Sequence, residues 1–302
     1  MKPSLTLSAE VETARAEGRP IVALESTIIS HGLPYPRNLE VAKQAEETIR
    51  NAGAAPATIA VMAGSIRIGL SDAQLSALAL GDEAMKLSRA DLAVALAEGR
   101  MGATTVAATM ICANLAGIQV FATGGIGGVH RGAEQDFDIS ADLEELAKTP
   151  VTVVSAGAKA ILDLPKTLEA LETRGVPVIA YGADAFPAFW ARDSGLSAPL
   201  RMDAAQQIAE AHKMRGALGL SGGQLIANPI PEAAEIPLSR MTPLIDAALA
   251  EADASGITGK AVTPFLLAEI FKATNGESLE ANVALLLNNC RLAAEIAKAL
   301  AD

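Results

Sequence analysis

The sequence predicts an α/β fold: a single domain with a largely parallel central sheet and helices on both faces. Three observations lead there. Short apolar runs alternate with longer stretches of helical pattern, and strands separated by helices assemble into parallel sheets covered on both sides. Half of the 302 residues are hydrophobic but only 3% are aromatic, so aliphatic side chains and alanine must build the core. No internal repeat or low-complexity linker divides the chain, and the Pro-rich stretch NPIPEAAEIP (228–237) reads as a loop within the domain.

In chain order, residues 1–19 read as an N-terminal extension and 20–302 as the domain. IVAL (21–24) is a strand, and 38–51 is a helix closed by Gly53. TIAVMAGSIRIGL (58–70) is a hairpin turning near Gly64 and Ser65. The stretch from Asp72 to about Arg100 is mostly helical, with Ser88 and Asp91 patterned as a cap and acidic first turn. TTVAATMICANLAG (104–117) is a buried helix stopped by Gly117. QVFAT (119–123), VTVVS (151–155), VPVIAYG (176–182) and QLIANP (224–229) are strands. Asp163 caps a helix with Pro165 in its first turn, ending at Gly175. The C-terminal third is mainly helical. Ligands of open α/β sheets bind at the carboxyl ends of strands, which directs attention to the residues just after each strand.

The net charge of −11 argues against a nucleic-acid footprint and against adsorption to an anionic membrane. An anionic substrate would need local cations and backbone amides. Cys112 and Cys290 lie among apolar residues and read as buried free thiols. The N-terminus carries no apolar run of the signal-peptide kind, and no stretch approaches the roughly 20 apolar residues that span a bilayer. The expected location is cytoplasmic.

Four segments can carry chemistry. Glu25 directly follows IVAL in ALESTIISHGLPYP. It is either a general acid or base or a carboxylate satisfied by nearby amides, and His31 is equally open. Lys86, beside Arg89, is a solvated helix-face lysine or a phosphate or sugar contact. FATGGIGGVHRGAEQDFDISADL (121–143) places four glycines after a strand, a loop that can bring amides to an anion. Its His130 and Arg131 add positive potential. Its Asp136, Asp138 and Asp142 are hard oxygen donors suited to Mg2+ or Mn2+, while Asp138 or Ser140 can equally cap the helix that begins near 140. Lys159 follows a buried strand in a surround of small, uncharged residues. Its amine either attacks a sugar carbon to form a Schiff base or snorkels to solvent. Asn282, on the last helix, hints at a polar contact or a helix-to-helix hydrogen bond.

Taken together, VALESTIISHGLPYP (22–36), AGAAPATIAVMAG (52–64), KLSRADL (86–92), GATTVAATM (102–110), the glycine segment, the strand and loop through Lys159, FPAFW (186–190), LIANPIP (225–231), TPFLL (263–267) and ESLEANVALLLNN (277–289) resemble the pseudouridine-5'-phosphate glycosidase, or indigoidine synthase A-like, family. The resemblance runs from about residue 20 to the C-terminus. It implies reversible cleavage of the carbon–carbon bond of pseudouridine 5'-phosphate to uracil and ribose 5-phosphate, through a lysine–sugar imine. It implies Glu25 as proton donor and Lys159 as nucleophile. Lys86, Val106, Thr123, His130, Ser140, Ala141, Asp142 and Asn282 fall on the substrate side, and Asp138 at the position that holds Mn2+ or a similar divalent cation. It also implies a homotrimer acting on a phosphorylated small molecule, with no nucleic acid or membrane partner. Two rivals remain at this level: a Schiff-base lyase for another phosphosugar adduct, and a non-catalytic phosphosugar-binding protein.

Overall fold

The computed structural model describes residues 3–301 except 82, 258, 260 and 261. The chain opens with β1 (Leu5–Leu7) and α1 (Ala9–Ala16), whose N-cap Ser8 accepts from the Val11 amide. These lie in the segment expected as an extension; β1 pairs in parallel with β4 (Ser65–Ile68), and α1 packs on the sheet. Then come β2 (Ile21–Leu24), α2 (Arg37–Asn51) and β3 (Ala55–Met62), where the alternation of apolar runs and helix pattern places them.

The stretch expected to be mostly helical resolves into α3 (Asp72–Leu80), β5 (Met85–Leu87) and α4 (Arg89–Ala97). The intervening strand is a correction. Met, Lys and Leu are good helix formers, and β5 exists because it pairs with β6 (Gly102–Thr104), a long-range contact that overrides local preference. The buried helix is α5 (Val106–Leu115), starting later than its threonines suggested because Thr104 ends β6 and Thr105 is the N-cap.

β7 (Val120–Ala122), the short α6 (Ala133–Asp136), α7 (Ala141–Lys148), β8 (Thr152–Ser155), α8 (Leu164–Thr173) and β9 (Val178–Tyr181) follow. Asp163 does cap α8, accepting from the Lys166 amide, with Pro165 in the first turn. β10 (Leu200–Met202), α9 (Ala205–Ala217), β11 (Gln224–Ala227), α10 (Leu238–Ala254), α11 (Val262–Ala273) and α12 (Glu277–Ala301) complete the chain.

The sheet runs β1-β4-β3-β2-β7-β8-β11-β9-β10, with β5 and β6 attached beside β3. From β3 through β2, β7, β8, β11 and β9 to β10 every pair is parallel. The antiparallel pairs are β3 with β4 and β3 with β6. One strand serves both parts: Ala55–Thr58 of β3 pair with β2, and Ile59–Met62 pair with β4. The divergence is pinned at the Ile59 carbonyl, which accepts from both the Ser26 hydroxyl (2.6 Å) and the Thr104 hydroxyl (2.8 Å). α12 lies across β2, β7 and β8 with α2 and α9 beside it, and α5 covers the sheet with α4 and α7. The core is aliphatic, as expected, around the fully buried Phe121, Phe186 and Trp190.

The topology locates the site. From β2 the chain next forms β3 on one side, whereas β7 lies on the other. Such a reversal opens a crevice beyond the strand ends, and Glu25 and Thr123, the residues directly after β2 and β7, stand there.

Candidate active site

Glu25 and Lys159 line one cleft beyond the carboxyl ends of the parallel strands, together with Thr27, His31, Lys86, Gly124, Gly125, Phe189, Thr263 and Asn282. The Glu25 carboxylate is held from both sides: Thr123 donates its hydroxyl to Oε1 and Thr27 donates to Oε2. Thr123 is itself fully buried, with its hydroxyl committed to Glu25. Its carbonyl accepts from Asn289 Nδ2 of α12 (2.8 Å), and Asn289 Oδ1 accepts from Asn228 after β11 (3.0 Å). Buried amides thus lock the strand end that aims the carboxylate.

Lys159 sits on the turn after β8, between buried alanines at 158 and 160. Its backbone is fixed by an amide hydrogen bond to the Ile126 carbonyl (3.1 Å). The side chain reaches a second, adjoining cleft lined by Lys86, Ser88, Thr105, His130, Asp138, Ser140, Ala141 and Asp142. Lys86, at the centre of β5, borders both clefts. By contrast Lys166 is outside: it pairs with Glu134 (2.8 Å) and Asp163 (3.0 Å) on the surface.

The second cleft is bounded by the N-termini of three helices, α4 capped by Ser88, α5 by Thr105 and α7 by Ser140. The first turn of a helix carries unsatisfied N–H groups and the positive end of the dipole. Val106 and Ala141 are the first residues of α5 and α7. Val106 is almost wholly buried, so what it can offer a ligand is its amide. The Asp142 carboxylate, which borders the second cleft, also ties its wall together. Its Oδ1 accepts from the Ala107 amide (2.9 Å) and its Oδ2 from the Gly127 amide (2.8 Å). Each such bond to a charged acceptor contributes about 1.5–3 kcal/mol, which favours a clasp joining α7, α5 and the glycine loop.

That loop does not present its amides as a cradle throughout. Ile126 donates to the Gly157 carbonyl (3.1 Å) and Gly127 to Asp142. Its glycines are needed for close approach: a Cβ at Gly127 would stand 2.2 Å from Ser140 Oγ, and one at Gly125 would stand 2.7 Å from the Phe189 ring.

Asp138 lies at the cleft edge. Its carbonyl accepts from the His130 amide (3.0 Å), and its Oδ2 is 3.9 Å from His130 Nδ1. Burial pushes the His130 imidazole below its usual range, with Asp138 and Asp136 opposing and Lys159 and Lys86 reinforcing the shift. Asp136 accepts from the Asp138 amide (2.9 Å). Among the described residues no three His, Cys, Asp or Glu side chains form a metal cage. A lone carboxylate in a polar cleft fits instead a hard cation that keeps most of its waters and shares an anionic substrate.

His31, left open by its sequence, lines the cleft with its Nδ1 2.6 Å from the Ser30 hydroxyl. Burial, then Lys86, depresses its pKa. Asn282 also lines the cleft, and its Oδ1 accepts from the Trp190 indole (2.6 Å). Phe189, Trp190, Asn228 and Asn289 lie in the FPAFW, LIANPIP and ESLEANVALLLNN motifs that carry the resemblance, but the sequence attached no individual role to them.

The chain matches the family described as indigoidine synthase A like protein over residues 10–299. It is 67% identical to a pseudouridine-5'-phosphate glycosidase of Paracoccus denitrificans over 100% of both chains. It is 68% identical to one from Jannaschia sp. over 98% of both. Among solved structures it is similar to the prealnumycin C-glycosynthase AlnA in complex with ribulose 5-phosphate, with TM-score 0.92 and 42% identity, covering 100% of this chain and 98% of that one. An indigoidine synthase A-like protein of Thermotoga maritima gives TM-score 0.90 at 35% identity, covering 99% and 97%. Among the described residues no helix is long and apolar enough to cross a membrane.

Proposed function

The chain belongs to the indigoidine synthase A-like family, and from that premise we propose that it reversibly cleaves pseudouridine 5'-phosphate, with water, to uracil and ribose 5-phosphate. The observation that carries the reading is the placement of Glu25 and Lys159 on one cleft, next to a second cleft edged by three helix N-termini. The first pair suits a reacting sugar carbon; the helix ends suit a phosphate.

An oxygen-linked glycoside can be cleaved by protonating its leaving oxygen. A carbon–carbon link offers no such atom, so the reaction needs an electron sink. Glu25, aimed by Thr123 and Thr27, delivers a proton to the ribose ring oxygen as the C1'–O bond opens. The Lys159 amine adds at C1'. Uracil C5 then takes the proton shed by the added nitrogen, relayed by the Glu25 carboxylate. The C1'–C5 bond breaks with its electron pair restoring the uracil C5=C6 double bond, and the nitrogen lone pair forms the C1'=N imine. Water hydrolyses the imine, returning the amine and releasing ribose 5-phosphate. Lys86, His130, and the Val106 and Ala141 amides hold the phosphate end, with Ser140 capping α7 and Asp142 fixing the loop. A hard divalent cation, Mn2+ in the family resemblance, would be held by Asp138 with waters and would screen phosphate charge and orient water.

A homotrimer and a cytoplasmic location belong to the same reading. Uracil release from pseudouridine 5'-phosphate tests the reaction. Its absence, with ribose 5-phosphate still bound, would favour a binding protein.

A further inference from the structure

Ser26 is wholly buried between two residues that face the open space of the site. Glu25 before it and Thr27 after it line the cleft of Lys159, and Thr27 donates to the Glu25 carboxylate. The serine turns the other way, toward the end of β6. Its hydroxyl donates to the Ile59 carbonyl (2.6 Å) and accepts from the Thr104 amide (2.9 Å). Its own amide donates to the Thr104 carbonyl (3.3 Å). The Thr104 hydroxyl donates to the same Ile59 carbonyl (2.8 Å) and accepts from the Thr109 hydroxyl (2.8 Å). A hydroxyl has one hydrogen to give, so all three are committed within this buried group. Directly after Thr104 comes Thr105, the N-cap of α5, which lines the helix-bounded cleft.

We propose that Ser26 is a positioning residue that couples the two clefts: it fixes the separation between the Glu25 carboxylate and the N-terminus of α5. A phosphate held at the helix end then brings the ribose ring oxygen and C1' into register with Glu25 and Lys159. The inference rests on the proposed reaction and adds how phosphate recognition reaches the reacting centre. Binding energy from a remote group raises the rate only where it serves to place the reacting atoms. That placement is sensitive to shifts of about 1 Å. A phosphate site free to slide against the carboxylate would bind the substrate without aligning it. Here the tie passes through one peptide unit on each side, Glu25 to Ser26 and Thr104 to Thr105, and the bonds between them engage backbone groups at both ends. Ile59 anchors it from a third direction, where β3 passes from its pairing with β2 to its pairing with β4.

The test compares pseudouridine 5'-phosphate with pseudouridine, which has nothing to place at the helix end. Ser26→Ala removes the acceptor of the Thr104 amide. It should lower kcat/KM for the phosphorylated substrate about 10-fold, within the roughly 100-fold that a displacement of 1 Å can cost. The value for pseudouridine should stay near that of the parent. Inorganic phosphate should inhibit with its parental Ki, because the helix end itself is intact. Thr109→Val takes a hydroxyl from the same buried group but leaves the tie in place. It should lower the Tm and keep the parental preference for the phosphorylated substrate. If Ser26→Ala does not fold, Ser26→Cys replaces the hydroxyl by a weak acceptor, and the same selective loss is expected. An equal fractional loss with both substrates, or an unchanged preference, would reduce Ser26 to a core contact and overturn the proposal. So would a phosphate Ki that rises in step with the loss of kcat/KM. A parent that releases no uracil from pseudouridine 5'-phosphate would refute the reaction itself, and this coupling with it.

Discussion

The two ends of the cleft are built from different materials. At the parallel-sheet end, Glu25 and Lys159 follow β2 and β8, and their side chains face the open space. At the other end, the N-termini of α4, α5 and α7 meet beside the β5–β6 pair, and much of what they offer is backbone. Side-chain chemistry is lost with one substitution; an amide survives almost any. On the proposed reaction, the end with Glu25 and Lys159 should therefore be brittle to mutation and the helix-bounded end tolerant, except where a side chain holds the backbone in place.

The largest effect should come from Lys159. Lys159→Ala is expected to lower uracil release by about 10^4-fold or more, the scale of removing a covalent nucleophile, while staying folded by circular dichroism. Lys159→Arg should not rescue it, because a guanidinium stays protonated. Peptide mapping after borohydride reduction with ribose 5-phosphate should find the adduct on Lys159. An adduct on Lys86 or Lys166 would break the division of labour between the two ends. Next is Glu25→Gln, which keeps the hydroxyl contacts but cannot supply the proton; turnover should fall about 10^2–10^4-fold.

Metal removal probes the boundary between the ends. Exhaustive chelation should abolish turnover and Mn2+ should restore it, with Asp138→Ala resembling the stripped protein; full activity after chelation would exclude the cation from the reaction. Dephosphorylating the substrate to pseudouridine should reduce kcat/KM by about 100-fold, as expected when two charge-assisted bonds are lost. Equal kcat/KM for the two would remove the phosphate from the second cleft. The smallest effect on turnover should be Val106→Ala, within about threefold of parent in kcat/KM because its amide is retained, while the cavity left at this buried site lowers stability by about 1–3 kcal/mol. A large loss of turnover would show that the side chain, not the backbone, matters there.

Much of the parallel half was legible because each strand is an apolar run bounded by turn residues, and Glu25 and Lys159 stand where those runs stop. β5 and β6 were not, because three-residue strands carry no periodicity and Met85–Leu87 suits a helix as well. The clasp made by Asp142, and the Trp190–Asn282 and Thr123–Glu25 bonds, join residues 35, 92 and 98 apart. No local pattern announces such pairs. The bonds that engage Asp142 and Thr123 were therefore not visible in the sequence.

The Asp142 clasp also bears on how the backbone around the helix-bounded cleft exchanges with solvent. One carboxylate holds the amides of Ala107 and Gly127 from its place in the first turn of α7. These two amides lie on separate segments, yet neither can be freed without disturbing the same anchor. In hydrogen exchange they should gain protection together and lose it together, with a common opening free energy. Asp142→Asn can accept at one of these amides but turns an N–H donor toward the other. It should accelerate exchange at both positions while leaving Glu25 and the strand ends beneath it protected.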